Sequence, residues 1–154
     1  MWGELYETEV FSIKLRGEVE PGKGNRVFRE LGATLYYDVY GFPAKSAENW
    51  QSDSLLAVRL LRSNVEVSAH EAFDTVELTY FFATSPSSVQ QSALDLVENT
   101  AAQFGGRITY RDTDYDREGV LDHWDQQSSE LLREWGEEPG SFELRRMIEE
   151  NYDQ

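Results

Sequence analysis

Residues 46–64, SAENWQSDSLLAVRLLRSN, decide how the remainder of the chain is to be arranged. They hold Leu55, Leu56, Val58, Leu60 and Leu61 without a glycine or proline. Asn49, Ser52 or Asp53 stands ready to cap a first turn, so the spacing predicts a helix. Leu56, Val58 and Leu60 also fit the period of two that marks a strand, which is the competing reading. Before this stretch, Leu35, Tyr37 and Val39 alternate with Tyr36, Asp38 and Tyr40 and stop at Gly41-Phe42-Pro43, a strand of high β-propensity. After it, Val65, Val67 and Ala69 alternate again. A polar turn at Glu71 to Asp74 then leads into Val76, Leu78, Tyr80 and Phe82, and the two runs predict a hairpin.

Further outward, Ser85-Pro86 supplies a cap and a first-turn proline. Val89, Ala93, Leu96, Val97, Ala101 and Phe104 form one helical stripe, closed by Gly105-Gly106. Ile108 and Tyr110 mark another strand. The order over 33–112 is therefore β-α-β-β-α-β, which predicts an α+β fold with a ferredoxin-like core: four antiparallel strands with helices 46–64 and 86–104 on one face. Phe11, Ile13 and Leu15 predict an extra N-terminal strand. Gly17 to Gly24 reads as a loop, and Val27, Phe28 and Leu31 as a short helix ending at Gly32. Two helices are expected in a C-terminal extension over 120–152, the first carrying Leu121, Trp124, Leu131, Leu132 and Trp135, the second Leu144, Met147, Ile148 and Tyr152. The whole, 1–154, is expected to be a single domain.

The formal net charge is −15, from 14 basic and 29 acidic residues. More than half of the excess falls in the last third, where residues 105–154 carry six basic and fourteen acidic side chains. Such a charge disfavours nucleic acid, whose binding needs cations to displace condensed counterions, and disfavours anionic membrane likewise. The chain has no cysteine, which excludes disulfides and thiolate chemistry. The N-terminal residues show no basic n-region followed by an apolar stretch, and the apolar runs are only a few residues against the about 20 a membrane helix requires, so the expected compartment is the cytoplasm.

Three groups of residues could carry chemistry. Asp112, Asp114 and Asp116, followed by Glu118, Gly119 and Asp122, alternate as calcium ligands do. Arg117, however, stands where the EF-hand turn needs glycine and His123 where it needs a bidentate glutamate, so no metal site is expected. His70 lies near Glu71 and Asp74, and His123 between Asp122 and Asp125, but neither spacing matches a ligand motif. The aromatics Tyr36, Tyr40, Phe42 and Trp50 form the third group. If Leu35, Tyr37 and Val39 face the helices, strand parity puts Tyr36, Asp38 and Tyr40 on an open sheet face, with Glu66, Ser68 and His70 beside them and Glu77, Thr79 and Phe81 on the next strand. The competing reading has the C-terminal helices covering that face.

The expectation is a non-enzymatic interaction module without cofactor, an inhibitor or immunity-type protein that neutralises a basic protein partner through Tyr36, Asp38, Tyr40, Glu66, His70, Glu77, Asp112, Asp114 and Asp116. Bacterial immunity proteins and phage inhibitors are similar in size and charge, a likeness of composition alone. The alternative is an enzyme or small-molecule-binding domain with a pocket between sheet and C-terminal helices, using His70, His123, Tyr36 and Tyr40. Because the acidic loop fails the EF-hand template, chelation with EDTA is expected to leave the thermal midpoint unchanged. A rise or fall of several degrees would make Asp112 to Asp122 a metal site.

Overall fold

The structure, a computed structural model, describes residues 8–43, 54–80 and 87–135. In chain order its elements are β1 (Glu9–Val19), α1 (Pro21–Glu30), β2 (Thr34–Tyr36), β3 (Val39–Pro43), β4 (Ser54–Arg62), β5 (Val65–Val67), β6 (Phe73–Tyr80), α2 (Ser87–Phe104), β7 (Arg107–Tyr110), β8 (Thr113–Asp114) and α3 (Arg117–Trp135). The strands form one eight-stranded sheet in the order β2-β3-β4-β6-β1-β7-β8, with β5 also paired to β4, and every pairing is antiparallel. The fold is α+β, with more sheet than the sequence pattern suggests.

The stretch that was to be a helix is instead β4 from Ser54 onward; residues 44–53 lie outside the described set. Leu56, Val58 and Leu60 are buried on the helix-covered face, while Ala57 and Arg59 point to the other. Leu61 is also buried, although it shares the face of Arg59. Apolar residues on both faces of a central strand blur the period of two, so the leucine pairs look helical. Pairing changes with it: β5 joins β4 through Leu60↔Val67 and Leu61↔Glu66, not β6, so the expected hairpin between 65–69 and 76–82 is not formed.

Strand β1 is not an addition to a core over 33–112. It lies between β6 and β7, with Phe11 opposite both Leu78 and Tyr110 and Ile13 opposite Val76 and Ile108. The segment Gly17 to Gly24 is not a loop either. β1 runs to Val19 and Pro21 opens α1, where its missing N–H costs no helix bond. The end of α1 at Leu31 and Gly32, where Gly32 adopts φ 96°, and the span of α2 agree with the sequence pattern. Ser85-Pro86 and the second C-terminal helix lie outside the described residues.

All three described helices lie on one face. Phe28 of α1 stacks on Tyr40 at 4.5 Å between centroids and meets Phe104 of α2 at 5.2 Å. Trp124 of α3 packs on Tyr80 at 4.9 Å and edge-on to Phe11 at 6.0 Å. The competing reading, in which the C-terminal helices cover the opposite face, therefore fails for α3. Gly106 fits against β1 only for want of a side chain, since a Cβ there would sit 2.5 Å from Ile13 Cγ2 and 2.8 Å from Leu15 Cδ2. Gly106→Ala is expected to lower stability by about 1–3 kcal/mol through overpacking, read by urea denaturation, with the slope of the transition unchanged.

Candidate functional site

Glu9 occupies a core-facing position of β1, in phase with Phe11 and Ile13, and is only 2% exposed. A carboxylate buried there is tolerable only with partners, and two residues supply them. The Tyr110 hydroxyl donates to Glu9 Oε2 at 2.7 Å, and Arg111 Nη2 donates to both carboxylate oxygens at 2.9 and 3.2 Å. Arg111 Nε and Trp124 Nε1 each donate to the Tyr110 oxygen at 3.2 Å, and the guanidinium lies 5.6 Å from the centre of the Tyr110 ring. Burial, and then the hydrogen bond to Glu9, push the Tyr110 hydroxyl up to about 12. The same carboxylate raises Arg111 further above its ordinary range. Tyr110 thus keeps its proton at physiological pH and acts as a donor.

Arg111 reaches this position because it and Asp112 form the two-residue β7–β8 turn, both with positive φ, 51° and 62°. His123 of α3 sits edge-on to Tyr110 at 6.4 Å, and its Nε2 is buried without a hydrogen-bond partner among the described residues. Next to the network is an open cavity of about 370 Å³, lined by Thr8, Glu9, Val10, Ser12, Glu77, Thr109, Arg111 and Asp112. No sequence motif announced Glu9. The available signal was parity, an acid two residues before Phe11 on the apolar side of a strand.

The residues expected to form a binding face are scattered. Tyr40 is 1% exposed, stacked on Phe28 and accepting a hydrogen bond from Asn25 Nδ2 at 2.9 Å, so it belongs to the core and not to the open face. The parity argument broke at Tyr37, where φ is 56°. Residues 35–40 are two strands, paired Leu35↔Tyr40 and Tyr36↔Val39, joined by a turn at Tyr37-Asp38. Tyr36 does lie on the open face. Asp38 is in that turn, with Oδ1 3.3 Å from His70 Nε2. Glu66 and Glu77 flank Arg59, each 3.3 Å away, on the open face. Asp112 is exposed at the β7–β8 turn, and Asp114 is held by Arg107. Asp116 caps α3, accepting from the Gly119 N–H at 3.1 Å. Trp50 and Phe81 lie outside the described residues.

His70, His123, Tyr36 and Tyr40 do not line a common pocket, and the space between sheet and α3 is filled by Trp124, which is fully buried. Arg117 points away from the acidic loop to α2, bonding Asp95 and Glu98 at 2.9 Å, while Tyr115 donates to Glu98 at 2.6 Å. Burial and that bond raise the Tyr115 hydroxyl. Beyond the cap, Glu118, Asp122 and Asp125 share an exposed stripe of α3, and with Asp112 they have no cationic partner among the described residues. Among the described residues no group of three or more His, Asp or Glu side chains is placed to hold a metal ion, and no helix is long and apolar enough to cross a membrane. No protein-family model matches the chain, and no curated protein matches it.

The Glu9 network predicts an asymmetry. Arg111→Ala strands a buried carboxylate and is expected to cost about 3 kcal/mol, whereas Glu9→Gln leaves a half-exposed guanidinium free to turn to water and should cost about 1 kcal/mol. Urea titrations of the two variants give the comparison, and equal losses would contradict the geometry.

Proposed function

We propose that this chain is a non-enzymatic interaction module of the cytoplasm, of inhibitor or immunity type, that captures a basic protein partner on the acidic surface formed by the β7–β8 turn and α3. The supporting observation is how the cations are used. Arg59, Arg62, Arg107, Arg111 and Arg117 are each held by carboxylates within the molecule, whereas Asp112, Glu118, Asp122 and Asp125 face solvent unneutralised by any described residue. Charges already paired contribute little field beyond a Debye length, while a stripe of unpaired carboxylates projects one that steers a cationic surface inward.

This reading centres the binding surface on Asp112 and the α3 stripe; Asp114, held by Arg107, and Asp116, which caps α3, lie at its edge. It gives Glu66, Glu77, Asp38 and His70 a smaller part, because each already has an internal partner, and Tyr36 the part of a rim anchor at most. The fold reading is carried forward in altered form. We read β1, α1, β4, β6, α2 and β7, neighbouring in the sheet as β4-β6-β1-β7, as a ferredoxin-like unit that begins at Glu9 and receives the β2–β3 hairpin as an insertion.

Pull-down with the full chain from native lysate is expected to recover a protein of high pI. Its association rate should fall at least about tenfold between low and physiological salt, with dissociation little changed. Glu118→Lys and Asp122→Lys should slow association, and Glu66→Lys should not. An acidic partner, or binding indifferent to salt, would overturn the proposal.

A further inference from the structure

The face of the sheet opposite the helices carries a second surface of different character. Register and burial assign to it Val10, Ser12 and Lys14 of β1, Thr75, Glu77 and Thr79 of β6, Ala57, Arg59 and Leu61 of β4, and Arg107 and Thr109 of β7. Tyr36 and Val39 extend it across β2 and β3. The described helices all lie on the other side. Three of the large apolar side chains most exposed to solvent are here: Val10 and Val39 at 43% and Tyr36 at 42%.

Its charge separates this face from the rest of the molecule. Among the described residues of this face, Lys14, Arg59 and Arg107 balance Glu66, Glu77 and Asp114, and Asp112 at its rim adds one unpaired carboxylate, so the face is close to neutral in a chain of net charge −15. A basic partner finds no attractive field here, and nucleic acid finds no excess of cations. The partner for which local neutrality matters most is one that carries the same charge, because two copies at −15 repel and can meet closely only where neither presents net charge. Seven strands at about 4.8 Å, averaging some 20 Å in length, offer roughly 700 Å² per copy, close to the about 800 Å² per partner of a standard stable interface. A two-fold axis would set the same mixed row of threonine, serine, valine and Arg–Glu pairs against itself.

We infer that the open sheet face is a self-association surface, on which a second copy of this chain packs sheet to sheet. It is distinct from the acidic surface of α3, so the two interactions respond oppositely to salt. Screening removes repulsion between like copies and tightens the dimer, whereas it weakens capture of a basic partner.

The test is the mass of the full-length chain in solution, by sedimentation velocity over a range of concentrations. A dimer is expected, with a dissociation constant that falls at least about tenfold as salt rises from about 0.01 to about 0.15 M. Val10→Asp and, separately, Val39→Asp should give monomers with an unchanged circular dichroism spectrum; both positions are exposed enough to accept a carboxylate without unfolding. Glu118→Lys on α3 should leave the dimer intact. A monomer at every concentration, a dimer that survives both open-face variants, or one loosened by added salt would overturn the inference. A monomeric chain that still captures a basic protein would leave the acidic-surface reading in place while removing this one.

Discussion

Strand β1 is the constraint on which the rest of the structure depends. It lies between β6 and β7, so Phe11 and Ile13 are flanked on both sides and covered from above, and neither has any exposed surface. Phe11 stacks on Tyr110 at 5.0 Å and meets Trp124 and Tyr115 edge-on at 6.0 Å, which ties three later segments to one early residue. Burying an aromatic of this size contributes on the order of 2–3 kcal/mol, more than any one of the exposed ion pairs, whose typical worth is below about 1 kcal/mol. The close approach of Gly106 to Ile13 and Leu15 follows from the same crowding.

The charged network at Glu9 is intelligible only in this setting. Because β1 is central, its first residue is carried into the core together with Phe11, and a carboxylate in that place must be fully bonded. Tyr110 and Arg111 come from the neighbouring strand and its turn, and Trp124 from α3, so the acid ties sheet edge and helix together at one end. A leucine at position 9 would fill the same space without desolvating a charge. What the glutamate adds is direction, because only one placement of the β7–β8 turn brings Arg111 onto it.

Much of the fold was legible where one signal acted alone. α2 has a single apolar stripe and a glycine stop, and α1 ends where Leu31 and Gly32 suggest. The reading failed where two signals overlapped. β4 is apolar on both faces, since Leu61 is buried beside Arg59, and paired leucines mimic a helical repeat. The run Leu35 to Tyr40 hides a turn without glycine, proline or asparagine, marked only by Asp38; an aromatic residue at φ 56° is an uncommon choice there. That one turn moved Tyr40 from a supposed binding face into the core. In the acidic loop, which carboxylates are paired depended on contacts with Arg107, on the same hairpin, and on the cap at Gly119. Glu9 stands outside the Phe11-Ile13-Leu15 alternation, where a charge on the apolar side of a strand looks like the strand's end.

The cations not used internally give the charge a direction. Lys23, Arg26 and Arg29 are exposed on α1, which packs over the Phe73 end of β6 through Gly24 and Phe28. Glu118, Asp122 and Asp125 are exposed on α3, which packs over the Tyr80 end of the same strand through Trp124. The two helices thus place opposite charge at opposite ends of one sheet, with a neutral open face running between them on the other side. Among the described residues, the α1 end is locally richer in cations and the α3 end locally richer in carboxylates. The exposed carboxylates described on α3 therefore have a direction, because the topology that centres β1 carries α3 to the Tyr80 end of β6 and α1 to the Phe73 end.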